Sequence, residues 1–283
     1  MTNDPGYDPE GGARYFDELA HGEWDRLDAT LTGRISFRIH LKQLLGVVSP
    51  GTRVLDAGCG PGRFAIAMLR AGAHVTLADI SSTQLDITRE KISEARLLDR
   101  VEGFHRVNIT NLTGFGEEFD IVVCYGGALS YVRDRHRAAI TELVRVTKPG
   151  GSVIASVMSL YGMLKLIGIL DVASFLVDME SHWELENIPN GTGYALTRSG
   201  SDEFHVPFAL FSAKHLADTF EEAGCSVVTL AAANPLSAGG MEMQRISANA
   251  GAASRLLDLE LALCDRPEYV DSGEHLIIVA QKR

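Results

Sequence analysis

The chain carries few positive charges for its length. Its 283 residues include 26 Lys and Arg against 37 Asp and Glu, a formal net charge of −11. Non-specific binding to DNA or RNA depends on neutralising phosphates with Lys and Arg. The charge balance therefore argues against a nucleic-acid partner, and it favours a small molecule or a short peptide.

Cysteine is also scarce, and the spacing of the cysteines matches no metal-binding motif. Four cysteines are scattered along the chain without a C-x-x-C pair or another metal-ligand spacing: Cys59, Cys124, Cys225 and Cys264. Such usage is typical of reduced thiols in an intracellular protein. We therefore expect no metal site and a cytoplasmic location, with the protein acting as a monomer or a homodimer.

Long apolar runs are missing as well. No stretch of 18 apolar residues is present, so the sequence predicts no membrane span and no membrane partner. The N-terminus is polar and acidic through Asp4, Asp8 and Glu10, which does not fit a signal peptide. A hydrophobic content of 46% is nevertheless enough for the core of one large α/β domain.

The most informative segment is Arg-Val-Leu-Asp-Ala-Gly-Cys-Gly-Pro-Gly, residues 53–62. It reads as a buried strand, a glycine-rich turn and the start of a helix. A dinucleotide-binding turn has the spacing G-x-G-x-x-G, but Arg63 stands where its third glycine would be. A nicotinamide-dependent oxidoreductase is therefore disfavoured, although the glycines alone leave it open.

The same segment resembles motif I of the class I S-adenosylmethionine (SAM)-dependent methyltransferases, whose form D-x-G-C-G-x-G it matches at every position. The resemblance implies that the turn formed by Gly58, Gly60 and Gly62 receives SAM through close backbone contact. It also implies that the Asp56 carboxylate lies near the ammonium and sulfonium groups of SAM. The implied cofactor is SAM, with S-adenosylhomocysteine as its product.

Further cofactor-binding positions follow from the resemblance. Asp79 ends an apolar stretch about twenty residues after the glycines, where a neighbouring parallel strand would bring a carboxylate to the ribose hydroxyls. Ile80 would lie against the adenine. Asn108 replaces the Asp that the family usually has after its third strand; we expect its amide oxygen and the backbone N–H of Ile109 to contact the adenine. Tyr125 follows the strong strand 119–124 and opens the loop that passes beneath the sulfonium.

The order of predicted strands and helices indicates an α/β fold with a doubly wound, mostly parallel seven-stranded sheet and an antiparallel last strand. An N-terminal helical arm and an inserted lid are added to it. The predicted units are the arm or cap at 1–50, the SAM-binding half of a Rossmann-like core at 51–157, the inserted lid at 158–205, and the C-terminal half of the core at 206–283.

The arm and the insertion supply candidates for contact with ligands. Arg34 in the arm can bind the methionine carboxylate of SAM, and Tyr15 can touch the cofactor or the acceptor. If the acceptor is a hydroxyl, a general base is needed. The base candidates are His182, His205 and His136, and Glu180 and Glu184 are weaker candidates.

The sequence thus predicts a SAM-dependent methyltransferase that acts on an O or N atom of a small molecule or short peptide. Two other functions stay open at this point. One is a non-catalytic SAM-binding protein that acts as a sensor or partner subunit. The other is a methyltransferase whose acceptor is a macromolecule, either protein or RNA.

Overall fold

A seven-stranded sheet organises the computed structural model, which describes residues 6–170, 183–184, 192–195, 206–238 and 243–283. The sheet order is β3-β2-β1-β4-β5-β10-β9. The first five strands in this order are parallel, and β10 runs antiparallel to both of its neighbours. The predicted fold class is therefore confirmed. The strand bounds are β1 Arg53–Ala57, β2 His74–Asp79, β3 Val101–Arg106, β4 Phe119–Cys124, β5 Thr147–Met158, β9 Cys225–Ala233 and β10 His275–Lys282.

The central strands are buried on both faces. Val54 and Leu55 of β1 point to opposite sides of the sheet, and both are fully buried. Val54 packs in one hydrophobic cluster and Leu55 in another, so each face of the sheet has its own core. Burial on both faces explains why these parallel strands are almost continuously apolar in sequence.

Helices cover both faces, and several begin at a side-chain cap. The Oγ of Ser81, for example, accepts a hydrogen bond from the backbone N–H of Gln84. The helix bounds are α1 Pro9–Leu19, α2 His21–Ala29, α3 Leu31–Leu45, α4 Arg63–Arg70, α5 Ser82–Glu94, α6 Ala128–Tyr131, α7 His136–Val146, α8 Leu160–Leu170, α9 Ala213–Glu222, α10 Met243–Ser247 and α11 Ala250–Leu263. None of these helices is long and apolar enough to cross a bilayer.

Two element boundaries differ from the sequence-based expectation. The apolar residues of 83–98 predict one amphipathic helix over that range, but α5 ends at Glu94, and Arg96 adopts a positive φ of 57° that cannot continue it. The run Lys-Pro-Gly-Gly at 148–151 predicts a turn before the fifth strand, but the segment is part of β5, although Gly150 has a φ of 74°. Both differences come from local backbone geometry that hydrophobic periodicity does not encode.

A second, three-stranded antiparallel sheet follows β5 and α8. It consists of β6 Trp183–Glu184, β7 Thr192–Ala195 and β8 Phe208–Phe211. The predicted insertion at 158–205 therefore contributes α8, β6 and β7 to the described residues. The apolar run at 161–177 predicts a helix, of which the structure describes the part up to Leu170; the remainder of that prediction lies outside the described residues.

Candidate functional site

A cleft lies between helices α1 and α2 and the carboxyl ends of the parallel strands; α1–α3 (residues 9–45) are called the arm from here on. The cleft holds about 970 Å³ of empty space, counting its open mouth. Ligands of doubly wound sheets bind at this edge, next to the point where the strand order reverses, here between β1 and β4. Most of the predicted cofactor residues line it: Asp56, Gly58 and Gly60 from β1 and its turn, Asp79 and Ile80 after β2, Asn108 and Ile109 after β3, and Tyr125 after β4.

The backbone N–H groups of the glycine turn are already used within the protein. The amide of Gly58 donates to the carbonyl of Ala78 at 2.7 Å, and that of Gly60 donates to Oδ2 of Asp79 at 2.8 Å. Pro61 has no N–H, and the amides of residues 59 and 62 also donate to backbone carbonyls. A pyrophosphate needs free amides at such a turn. The turn therefore suits a ligand that makes close contact without an anionic group there.

Two of the glycines are required by their surroundings. Gly58 has a φ of 79°, and a Cβ there would lie 2.8 Å from the Cβ of Ala128. Gly62, with a φ of 84°, would place a Cβ 2.8 Å from Cγ2 of Thr88. Gly62 does not line the cleft; it lets the turn before α4 pack closely against Thr88 of α5. Its place in the motif is thus explained by packing as well as by backbone conformation.

Asp56 is a buried carboxylate that faces the cleft. Only 2% of the residue is exposed, and its Oδ2 has no hydrogen-bond partner within the described part of the chain. Burial, helped by the negative charge of Asp79, raises the pKa of Asp56 to about 7. Because an isolated buried carboxylate is costly, a cationic ligand in the cleft would stabilise its charged form. The Asp56 carboxylate therefore fits the ammonium and sulfonium groups of SAM.

Asp79 is a second buried carboxylate, one strand away. Its Oδ2 accepts from Gly60, as stated above, and its Oδ1 accepts from the amide of Ser81 at 2.9 Å. Burial raises the pKa of Asp79 to about 6, even though these backbone hydrogen bonds act in the opposite direction. Each oxygen keeps a second lone pair, so the carboxylate can also accept from hydroxyl groups of a ligand.

Asn108 is held differently from the expectation. Its Oδ1 accepts from the Tyr7 hydroxyl at 3.1 Å, the Thr110 amide at 3.0 Å and the Thr110 hydroxyl at 2.9 Å. Because a backbone amide can only donate, these contacts fix the oxygen toward Thr110. The expected contact with an adenine amino group would need this oxygen, which already accepts three hydrogen bonds within the protein. The side-chain NH2 of Asn108 is the part that is left for a ligand.

Tyr125 forms the floor of the cleft after β4. It is 3% exposed, and its hydroxyl donates to the carbonyl of His40 at 3.3 Å. The ring meets the rings of His40 and Phe64 edge-on, with centroid distances of 4.8 and 4.9 Å. Burial lowers the pKa of His40 to about 4, so this imidazole is neutral at physiological pH and serves as packing.

Two predicted cofactor residues of the arm do not line the cleft. Arg34 donates from Nη1 to the carbonyl of Asp28 at 2.9 Å. Tyr15 packs edge-on against Phe16 at 5.1 Å, behind the residues that line the cavity. The hydrophobic periodicity of the arm could not predict these positions, because it indicates which face of a helix is buried but not how the helix lies on the sheet.

The predicted base candidates are not among the described residues that line the cleft. His182, His205 and Glu180 lie outside the described residues, as does the side chain of Glu184. His136 lies at the start of α7, where its Nδ1 donates to the carbonyl of Arg133 at 2.6 Å and its ring packs against Phe211. The role of His182 and His205 in catalysis stays a prediction.

Sequence reasoning missed two arginines of the cleft. Arg63 packs its guanidinium between the rings of Trp24 and Phe37, at 4.8 and 5.0 Å, and pairs with Asp28 at 2.6 Å. Arg26 lines the cleft from α2. Arg63 stands out in the sequence only as the residue in place of a third glycine, and Arg26 does not stand out, since a Glu-x-x-Arg pair on a helix usually marks a solvated face.

Comparison with known proteins agrees with this geometry. The family described as "Methyltransferase domain" matches residues 54–151. Malonyl-[acyl-carrier protein] O-methyltransferase of Erwinia billingiae is 37% identical over 110 residues, which cover 38% of this chain and 40% of that protein. Ubiquinone biosynthesis O-methyltransferase of Alkalilimnicola ehrlichii is 32% identical over 154 residues, 54% of this chain and 56% of that protein. The chain thus spans about half the length of these curated relatives.

A solved structure extends the likeness of the fold. Magnesium protoporphyrin IX methyltransferase (ChlM) from Synechocystis PCC 6803, with bound SAM, matches with a TM-score of 0.58 over 100% of both chains, at 16% identity. At that identity the match shows the fold alone. The family match at residues 54–151, the D-x-G-C-G-x-G turn and the seven-stranded sheet together show that the chain contains a methyltransferase domain and has the fold of the class I SAM-dependent methyltransferases.

Proposed function

We propose that the protein transfers a methyl group from SAM to an O or N atom of a small molecule or short peptide. The observation that carries this proposal is the Asp56 carboxylate, which is buried, faces the cleft and has an oxygen without a partner in the described chain. Two relatives are named as O-methyltransferases, which supports oxygen over nitrogen. A small-molecule acceptor is in keeping with the ubiquinone pathway named for one of them.

In this proposal, different residues of the cleft bind different parts of the cofactor. Asp56 holds the cationic methionine end, and Asp79 accepts from the ribose hydroxyls with its remaining lone pairs. Ile80 and Ile109 provide apolar surface for the adenine, and the Asn108 NH2 group donates to a ring nitrogen. Each of these residues lines the cleft.

Bound SAM supplies a methyl group that its positive sulfur has already activated. The task of the protein is then to hold the acceptor close to that methyl group and in line with it. Such positioning contributes about 7–11 kcal/mol in favourable cases. The Tyr125 floor and the packed turn at Gly58 give the cleft rigid walls for this purpose.

The acceptor is enclosed, in this proposal, between the arm and the insertion at 158–205. His182 and His205 of the insertion are the proposed general bases for a hydroxyl acceptor. A soluble, cytoplasmic protein that works as a monomer or homodimer remains our expectation.

Calorimetric titration with S-adenosylhomocysteine tests the cofactor site. We expect micromolar binding by the wild type and at least ~10-fold weaker binding by Asp56→Asn, because the isosteric amide cannot pair with an ammonium group. Asp86→Asn is the matched control, since the Asp86 side chain is 75% exposed on α5. Binding of NADH instead of S-adenosylhomocysteine would overturn the proposal.

Labelled SAM then separates an enzyme from a sensor. Transfer of label to small acids, phenols or amines in a panel is the expected result. If S-adenosylhomocysteine binds but label moves only to proteins or RNA, the macromolecular alternative replaces the small-molecule acceptor. If label moves to none of these classes, the non-catalytic SAM-binding alternative is the better description.

A further inference from the structure

One arginine of the cleft, Arg26, has N–H groups without an acceptor among the described residues. Arg63 and Arg26 are the arginines that line it among the described residues. The Arg63 side chain is only 11% exposed and is committed to Asp28 and to two aromatic rings. The Arg26 side chain is 46% exposed, and its guanidinium borders the cavity. Arg26 is therefore the described arginine that can reach a ligand.

Glu23 fixes the orientation of that guanidinium. Nε of Arg26 donates to both carboxylate oxygens of Glu23 at 3.0 Å, and Nη2 donates to Oε1 at 2.7 Å. A guanidinium has five N–H donors, so three of them have no acceptor within the described part of the chain. An arginine held on one edge by a carboxylate presents its other edge as a rigid fork, which matches the geometry of a second oxyanion.

Arg26 and the proposed nucleoside contacts lie on different elements of the cleft. Arg26 belongs to α2, whereas Asp79 ends β2 and Asn108 follows β3. The Arg26 guanidinium therefore borders the cleft from a helix that supplies none of the proposed nucleoside contacts.

Aromatic and apolar side chains also line the cleft. Phe16 and Tyr131 line the cleft and meet edge-on at 5.1 Å, and Tyr131 meets Phe208 at 5.9 Å. Leu27 and Val132 add buried aliphatic surface. Aromatic faces of this kind favour a flat, unsaturated ligand body.

We propose that Arg26 is the specificity-determining residue of the acceptor site, and that the acceptor is an aromatic or otherwise planar acid whose carboxylate the Arg26 fork binds. This inference rests on the proposed methyltransferase function and names its substrate class. Glu23 is a positioning residue that keeps the guanidinium aimed at the acceptor. The remainder of the acceptor packs against Phe16 and Tyr131.

Matched acid and amide probes test the proposal on the full chain saturated with S-adenosylhomocysteine. Benzoate and 2-naphthoate are titrated beside benzamide and 2-naphthamide, which have the same shape without the charge. We expect the wild type to bind each acid at least ~10-fold more tightly than its amide. Arg26→Gln is expected to abolish that preference. Arg38→Gln, an exposed arginine of α3, is the control and is expected to keep it.

The cofactor titration separates the two proposals. Wild-type protein and Arg26→Gln are expected to bind S-adenosylhomocysteine within ~3-fold of each other, because the cofactor is held elsewhere. If Arg26→Gln instead loses cofactor affinity, Arg26 binds the methionine carboxylate and the inference is overturned while the methyltransferase function stands. Equal binding of acids and amides by the wild type, or binding of neither, also overturns it.

Discussion

The backbone amide of Gly60 donates a 2.8 Å hydrogen bond to Oδ2 of Asp79, so the carboxylate at the end of β2 holds the glycine turn that follows β1. The other oxygen, Oδ1, accepts from Ser81 at the start of α5. One side chain therefore ties the ends of two neighbouring strands and the beginning of a helix together. This gives Asp79 a structural role in addition to the proposed contact with the ribose.

Replacing Asp79 is expected to affect stability and cofactor binding together. Asp79→Ala leaves the amides of Gly60 and Ser81 without their acceptor, and the loss at the buried Ser81 amide alone costs about 1–3 kcal/mol in the free energy of unfolding. Asp79→Asn retains one acceptor and turns its NH2 group toward the other donor, so we expect a loss of similar size. Urea denaturation and calorimetry with S-adenosylhomocysteine measure the two effects. Unchanged stability in both variants would show that the turn does not depend on this carboxylate.

The pH dependence of cofactor binding follows from the two buried carboxyl groups. Their folded-state pKa values, about 7 for Asp56 and about 6 for Asp79, lie above the usual value of 3.8. Below pH 6 both groups are mostly protonated and attract a cationic ligand little. We expect the affinity for SAM to increase by roughly tenfold between pH 5.5 and 7.5, and the increase to be smaller in Asp56→Asn. Affinity that falls over this range would contradict the assignment.

The same pKa values predict the direction in which the stability of the ligand-free protein changes with pH. The folded state keeps these protons up to pH 6–7, whereas the unfolded chain loses them near pH 3.8. The two groups therefore make the folded state relatively most stable below pH 3.8, and this contribution is lost as the pH rises through 6 and 7. Urea denaturation of wild type and Asp56→Asn across this range isolates the contribution of Asp56.

The sequence allowed the central part of the fold to be predicted, as well as the location of most candidate cofactor residues at the cleft, because their signals are local. The spacing of Gly58 and Gly60 after a buried strand, and of Asp79 after the next, reflects the short path of a βαβ unit. The cleft contact of Arg26 could not be predicted, since it depends on how α2 lies over the sheet. The triple acceptor role of the Asn108 oxygen was equally hidden, because the Tyr7 contact joins residues 101 positions apart.

Gln84 of α5 binds the end of α1 and helps to attach the arm. This residue is fully buried, and its Nε2 donates to the carbonyls of Phe16 at 2.8 Å and Ala20 at 3.1 Å, at the end of α1. Gln84→Ala removes both bonds and leaves the carbonyls without that donor. We expect trypsin to cleave at the exposed Arg14 roughly tenfold faster in this variant, because local opening of the arm becomes easier.

Gln281→Ala is the matched control for that experiment. Its Nε2 donates to the carbonyl of Gly150 at 3.0 Å, on an exposed surface away from the arm. Mass spectrometry of the early digestion products locates the cut. If both variants are cleaved at the wild-type rate, Gln84 does not hold the arm.

Arg63→Gly tests why the turn is not a dinucleotide site. The substitution completes the spacing G-x-G-x-x-G from Gly58 and Gly60, so a sequence motif search would then favour NADH. We expect no NADH binding in a fluorescence titration, because the amides that would meet a pyrophosphate already donate to Ala78 and Asp79. Arg63→Ala is the matched variant, since it also loses the contacts with Trp24 but does not complete the motif. Both variants should be destabilised by about 1–3 kcal/mol in urea denaturation, because the partly buried guanidinium packs on an aromatic ring and pairs with a carboxylate. NADH binding by Arg63→Gly alone would mean that the third glycine, and not the bonding of the turn, decides the ligand.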